Sequence, residues 1–268
     1  MPGVNGEGLH AKMTNVEHAF CAWFLLVFEW TKSPRMKLCI LDNDVLDPAA
    51  VPIWGSYAAM FERLLRGAGF EGEIDAYSAR QGSYPDSFDA YDAVLLTGSR
   101  SDAFSDDAWV VELRGRVSAL LAQQKKLVGV CFGHQLIAHC LGAKVGRAPQ
   151  GWGLGRTHYT WHEPSHFSDG VQQVCLLASH QDQVLELPQG ARLLASNAHC
   201  PIAAYAIGQQ VLCIQPHPEF EPAYSAFLMN KRRDYHGEAV CQEKLAALQG
   251  GHDGPRMGRL MLRFMGQV

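Results

Sequence analysis

From Lys37 onward, short apolar runs alternate with stretches whose apolar positions recur every three or four residues. Lys37–Leu41 (KLCIL) predicts a buried strand, ended by Asp42-Asn43-Asp44. Gly55–Gly69 predicts a helix whose apolar stripe is Ala58, Phe61, Leu64, Leu65 and Ala68. Ile74–Tyr77 and Ala93–Thr97 predict two further strands, the second stopped by Gly98. Ser105 is placed to cap a helix reaching about Gln123, with Asp106 and Asp107 in its first turn, where negative charge suits the helix dipole. Leu127–Val130 then predicts a strand and Gly133–Leu141 a helix. This alternation implies an α/β domain with a parallel sheet covered on both faces.

After Gly142 the pattern changes. Lys144–Arg147, Arg156–Trp161, Gln173–Ala178, Arg192–Ser196, Ile202–Ile207 and Val211–Gln215 are strand-like, with little helix between them. They suit a mostly antiparallel extension of one sheet edge. The tail from Glu221 reads as helix, broken by GGHDG at 250–254. No repeat or linker interrupts 36–268, so one domain is expected there.

Residues 1–35 differ. The apolar run Phe20–Trp30 contains Glu29 and is about half the ~20 residues that a membrane helix needs, with no small-x-small cleavage site behind it. The segment is expected to be an extension outside the catalytic domain, either a start assigned too early, with Met36 as the working start, or a short peripheral helix or anchor.

Composition narrows the function classes. At 47 % hydrophobic and 19 % charged residues the chain can bury a full core. A net charge of −4 without a basic patch argues against a nucleic-acid partner. The eight cysteines include no C-x-x-C, and Cys39, Cys175 and Cys213 lie in apolar runs. Reduced thiols and a cytoplasmic location are the expectation.

Leu127–Gln135 (LVGVCFGHQ) carries the chemistry. A strand runs into Gly-x-Cys-x-Gly and a helix follows, which is the thiol form of a nucleophile elbow. Gly129 and Gly133 suit so tight a turn, and the helix N-terminus favours a thiolate at Cys131. Such a nucleophile needs a base. In Ile214–Phe220 (IQPHPEF), Pro216 and Pro218 predict an extended segment in which His217 and Glu219 point the same way, about 7 Å apart. Glu219 would orient His217, and His217 would face Cys131. The N–H groups of Phe132 and Gly98 are the natural oxyanion donors.

These residues resemble the class I, or triad, glutamine amidotransferase family. The likeness rests on LLTGSRSDAFSDD, GVCFGHQLIAHCLGAKVGRA, SHQDQVLELP and LCIQPHPEF, in that order, and spans Met36 to about Phe220. Within the family it looks closest to the stand-alone branch that includes plant γ-glutamyl peptidases and GMP-synthase-like proteins. The resemblance implies a flavodoxin-like three-layer sandwich. It implies Cys131 as nucleophile, His217 as acid and base, Glu219 as orienting carboxylate, Gly98 and Phe132 as oxyanion hole, and Gln135, His180 and Gln181 as substrate contacts. It also implies cleavage of the γ-amide of glutamine or a γ-glutamyl compound through a glutamyl thioester, with no metal or cofactor. The chain has no phosphate loop and no second domain to use ammonia. Three readings follow: a stand-alone hydrolase, the ammonia-supplying subunit of a separate synthetase, or a non-catalytic redox or stress protein of the same fold.

Other signals count for less. His158, His162 and His166 recur every four residues, but a strand and Pro164 forbid the helix that would cluster them. Trp152 and Trp161 read as core or rim aromatics, and Lys231-Arg232-Arg233 as a solvated helix end.

Overall fold

The computed structural model describes residues 3, 35–162, 170 and 172–267. Contacts divide the chain into two units, Met1–Arg35 and Met36–Val268. Apart from Gly3 and Arg35, the first unit lies outside the described residues, and so does the expectation about residues 1–35.

The second unit begins with β1 (Lys37–Asp42), α1 (Val51–Trp54), α2 (Tyr57–Gly67), β2 (Glu73–Ser78), β3 (Ala93–Leu96), α3 (Ala108–Ala122), β4 (Lys126–Val130) and α4 (Phe132–Cys140). Then come β5 (Val145–Arg147), β6 (Gly153–Trp161), β7 (Gln173–His180), β8 (Asp182–Val184), β9 (Arg192–Ser196), β10 (Ala204–Ile207) and β11 (Val211–Ile214). The tail forms α5 (Pro222–Lys231), α6 (Arg233–His236), α7 (Glu238–Ala247) and α8 (Gly254–Met265).

Nine strands form one sheet in the order β2-β1-β3-β4-β11-β10-β9-β6-β7. Pairing is parallel from β2 through β11 and antiparallel from β11 through β7. This is the parallel sheet with an antiparallel extension that the sequence predicts.

Alternation along β1 builds the layers. Leu38 and Ile40 pack with Phe61 and Leu65 of α2 and Met261 and Phe264 of α8. Cys39 and Leu41 face the other way, onto Val110 and Leu113 of α3 and Leu136 of α4. The sheet is thus sandwiched between helices.

The tail is more than an appendage. In α8, Met257, Leu260, Met261 and Phe264 recur at three- and four-residue steps and are buried in the first of these cores.

Local differences from the sequence reading have local causes. Gly55 (φ 77°) ends α1, and α2 starts only after Ser56, whose Oγ accepts from Ala59 N at 3.1 Å. Ser105 does not cap α3. Its hydroxyl accepts from Asp107 N at 3.1 Å in the turn before the helix, and Asp107 itself is the N-cap residue. A competing local hydrogen bond therefore moved the helix start by two residues. The three-residue β8 was too short to read, and it pairs with β5 in a separate two-stranded sheet.

Candidate active site

The parallel strands β1, β3, β4 and β11 end along one edge of the sheet, where α/β folds place their clefts. Cys131 follows β4 directly, and its N–H donates to Ile214 O at 2.9 Å. Its backbone has φ 53° and ψ −105°, outside the regions that L residues prefer. Two close approaches force this bend. A Cβ at Gly129 would sit 2.7 Å from the carbonyl carbon and oxygen of Gly133, and one at Gly133 would sit 2.5 Å from Leu96 O. Backbone occupies the space of both side chains, so the strand can turn into α4 only with glycine at each position. Phe132 opens α4, so its N–H has no acceptor within the helix.

His217 reaches Cys131 from the segment after β11. That segment is not extended throughout, as the two prolines suggested. His217 N donates to Leu177 O at 2.8 Å as an isolated bridge to β7, and the chain turns at Pro218-Glu219. The turn draws the carboxylate onto the ring, and His217 Nδ1 lies 2.7 Å from Glu219 Oε1 rather than at strand spacing. Phe220 stacks on the imidazole with centroids 3.8 Å apart and planes 9° from parallel. Both His217 and Glu219 are buried. Burial alone would depress the imidazole, but the Glu219 carboxylate and the Cys131 sulfur outweigh it and lift His217 to about 10.

Gly98 closes the group. A Cβ there would lie 2.8 Å from His217 Cε1 and 3.6 Å from Cys131 Cβ. The turn after β1 steadies this loop. Asn43 donates twice to the end of β3: its N–H to Thr97 Oγ1 and its Nδ2 to Thr97 O, each at 2.9 Å. The sequence reading treated Asp42-Asn43-Asp44 only as a strand stop.

A cavity of about 300 Å³ opens beside these groups. Cys131, His217, Gln135, His180 and Gln181 all line it. Gln135 is partly committed to the protein, with Nε2 donating to Asp182 O at 2.8 Å and Gln215 Oε1 at 3.1 Å. His180 is buried, with no well-formed hydrogen bond on either ring nitrogen and a weak backbone contact at Asp182. Gly153 backs its ring, since a Cβ there would lie 2.7 Å from Nε2.

Sequence reasoning missed other wall residues. Trp152 is a rim residue, whereas Trp161 is in the core. Arg147 pairs with Asp182 at 2.7 Å and Asp102 at 3.0 Å. The basic run is not simply solvated: Lys231 pairs with Asp47, Arg233 with Glu238, and Arg232 lines the cavity. Arg232 directly follows α5, and nothing in the local sequence sets it apart from its two basic neighbours.

The remaining signals sort simply. His158 bonds Arg156 at 3.2 Å and His162 bonds Ser196 Oγ at 2.6 Å, while His166 lies outside the described residues. Among the described residues no group of three or more His, Cys, Asp or Glu could hold a metal ion. No described helix is long and apolar enough to cross a membrane. The seven described cysteines are free thiols, and burial pushes Cys39, Cys200 and Cys213 up to about 12.

Burial holds His134 and His180 neutral, depressing each to about 3. The unfolded chain therefore takes up protons below about 6.5 that the folded chain refuses. Their contribution is complete above pH 6.5 and is lost as pH falls toward 3. Each should add up to about 1.4 kcal/mol per pH unit to the slope of stability over that window. Urea midpoints measured from pH 7 to 4 should fall steeply, and His134→Phe should flatten the fall; an unchanged slope would show that His134 is protonated in the folded state.

The chain matches the family model described as "Glutamine amidotransferase class-I" over residues 54–231. It is 37 % identical over 206 residues to γ-glutamyl peptidase 3 of Arabidopsis thaliana, covering 73 % of this chain and 80 % of that protein. It is 33 % identical over 129 residues to a GMP synthase of Caldicellulosiruptor saccharolyticus, covering 47 % of this chain but 24 % of the synthase. A crystal structure of a glutamine amidotransferase from Thermotoga maritima superposes with a TM-score of 0.71 at 16 % identity, covering 87 % of this chain and 99 % of the other, which is a likeness of fold.

Proposed function

This chain belongs to the class-I glutamine amidotransferase family, and from that premise we propose that it is a stand-alone thiol hydrolase of γ-glutamyl amides. The observation that carries the reading is a cysteine held at φ 53° beside a buried His217–Glu219 pair, on the wall of a cavity large enough for a glutamyl group.

The chemistry follows from the roles. His217, lifted to about 10, already holds on Nε2, the nitrogen Glu219 leaves free, the proton that the Cys131 thiol gives up, and Sγ attacks the γ-carbonyl carbon. The carbonyl π pair moves to oxygen, held by the N–H groups of Gly98 and Phe132. Collapse breaks the C–N bond as His217 returns the proton to the departing amine or ammonia. Water then attacks the thioester, His217 takes its proton, the C–S bond breaks and glutamate leaves. Glu219 keeps the ring in the required tautomer and balances the imidazolium.

Purified protein should release glutamate from γ-glutamyl dipeptides without any partner. Absence of glutamate release from both dipeptides and glutamine would remove the hydrolase reading. The second reading, an ammonia-supplying subunit, draws on the likeness to GMP synthases. It predicts turnover of glutamine only when a synthetase is added. His217→Ala should lower kcat by about 10²–10⁴ while the circular dichroism spectrum is unchanged, because the bridge to Leu177 uses backbone atoms. Full activity in that variant would show another group to be the base.

A further inference from the structure

We propose that Asn43 is a positioning residue for the reaction: its side chain fixes the peptide plane that aims the Gly98 N–H at the developing oxyanion. The inference deepens the γ-glutamyl hydrolase reading and rests on it. It comes from two consecutive buried side chains in the turn after β1, Asn43 and Asp44, neither of which lines the cavity.

The Gly98 N–H belongs to the same peptide unit as the Thr97 carbonyl. In a trans peptide these two groups point in opposite directions, so whatever holds the carbonyl also aims the N–H. Asn43 Nδ2 donates to Thr97 O at 2.9 Å, and Thr97 N donates to Leu41 O at 3.1 Å. A second chain of bonds holds the other side of Gly98. Thr97 Oγ1 accepts from Asn43 N at 2.9 Å and donates to Gly98 O at 3.1 Å. Both peptide planes that flank Gly98 are therefore tied to the turn after β1. The position has little slack, since a Cβ on Gly98 would lie 2.8 Å from His217 Cε1.

Asp44 fastens the far end of the same loop. Its Oδ2 accepts from Arg100 N at 2.8 Å, and Arg100 Nε lies 3.1 Å from Oδ1 and 3.0 Å from Oδ2. Arg100 also donates to Val45 O. Arg80 approaches from the other side, with Nε 3.9 Å from Asp44 Oδ1 and Nη1 donating to Ser101 Oγ at 2.9 Å. The same guanidinium lies 5.3 Å from the centroid of the Trp109 ring, which stacks on Phe132 at 5.5 Å. Arg80 thereby touches the supports of both oxyanion donors, Gly98 and Phe132.

Oxyanion donors contribute most when they are preorganised, because a donor already in place needs no rearrangement as charge develops. A group that fixes such a donor acts on the transition state and leaves ground-state binding alone, so it moves kcat and not KM.

The test compares the full-length wild-type chain with Asn43→Ala, which keeps the backbone bond to Thr97 Oγ1 and removes the one that holds the Thr97 carbonyl. With γ-L-glutamyl-p-nitroanilide as substrate, Asn43→Ala should lower kcat by about 10–100-fold and leave KM within about twofold of wild type. Alkylation of Cys131 by iodoacetamide, followed by peptide mass, should keep its wild-type rate, because displacing iodide builds no charge on a carbonyl oxygen. Wild-type kcat in Asn43→Ala, a KM that rises while kcat holds, or alkylation slowed as much as kcat would overturn the proposal; the last pattern marks a merely structural residue. If Asn43→Ala does not fold, Asp44→Asn carries the test, with the same separation of kcat from KM and alkylation expected. Backbone hydrogen exchange over residues 97–102 reads the anchor without any substrate. It should rise in either variant, and unchanged exchange refutes the anchor. A wild type that releases no nitroaniline sinks the hydrolase reading, and exchange still decides whether Asn43 holds the loop.

Discussion

Replacing Cys131 with Ala should abolish glutamate release, lowering kcat by about 10⁴-fold or more, and leave the fold intact. None of the other described cysteines lines the cavity. Burial also pushes Cys39, Cys200 and Cys213 up to about 12, which disfavours a thiolate there. Cys131→Gly sharpens the expectation. The wild-type residue carries φ 53° and ψ −105°, a conformation costing about 1–3 kcal/mol that glycine adopts freely. The glycine variant should therefore be inactive yet unfold at a urea concentration no lower than that of the alanine variant. If Cys131→Ala retains turnover, the nucleophile is elsewhere. If Cys131→Gly is the less stable of the two, the elbow is not strained.

The second large effect is on folding. Gly133→Ala should destabilise the domain by about 3 kcal/mol or more, and the protein should be recovered mostly insoluble. The added methyl would meet Leu96 O at 2.5 Å and Leu96 Cβ at 2.7 Å, and a strand backbone in the middle of a sheet cannot retreat. A contrasting substitution isolates the cause. Gly115→Ala, in α3 with open space around its Cα, should be neutral or slightly stabilising, since alanine is the better helix former. Equal unfolding midpoints for the two variants would show that the contact at Gly133 is relieved by some movement of α4.

These two effects share one origin. The helix that follows Cys131 must dock directly on the neighbouring strand for that thiol to stand at the sheet edge. The position of Cys131 and fold stability are thus coupled through Gly129 and Gly133, while the elbow's backbone strain lies at Cys131. The charge pattern of the cavity is a separate property, since Arg232 and Asp102 contribute nothing to the elbow.

Several features were legible in the chain because their causes are local. Apolar periods of two and of three to four residues marked β1, β3, β4 and α4, since burial on two faces or on one stripe writes itself directly into the sequence. Gly-x-Cys-x-Gly announced the elbow, because only a missing side chain permits that turn. The tail was legible as helix, but its docking was not, since an amphipathic stripe states that a face is buried and not against what. The His217–Glu219 contact was half legible. Their proximity in sequence suggested a pair, but a turn at Pro218-Glu219, held by the bridge from His217 to Leu177, brought Nδ1 and Oε1 to 2.7 Å.

The sequence by itself determined the layered α/β order, the strained thiol turn and the residue types available for proton transfer. Only the tertiary structure decided which charges face the cavity. Asp44, Asp102 and Asp182 are far apart in the chain from the arginines they answer, and in the sequence Arg232 is indistinguishable from its basic neighbours Lys231 and Arg233. Whether a guanidinium is paired depends on which carboxylates the folded chain brings within a few ångströms of it, and Coulomb attraction acts across space, with no trace in the local order of residues.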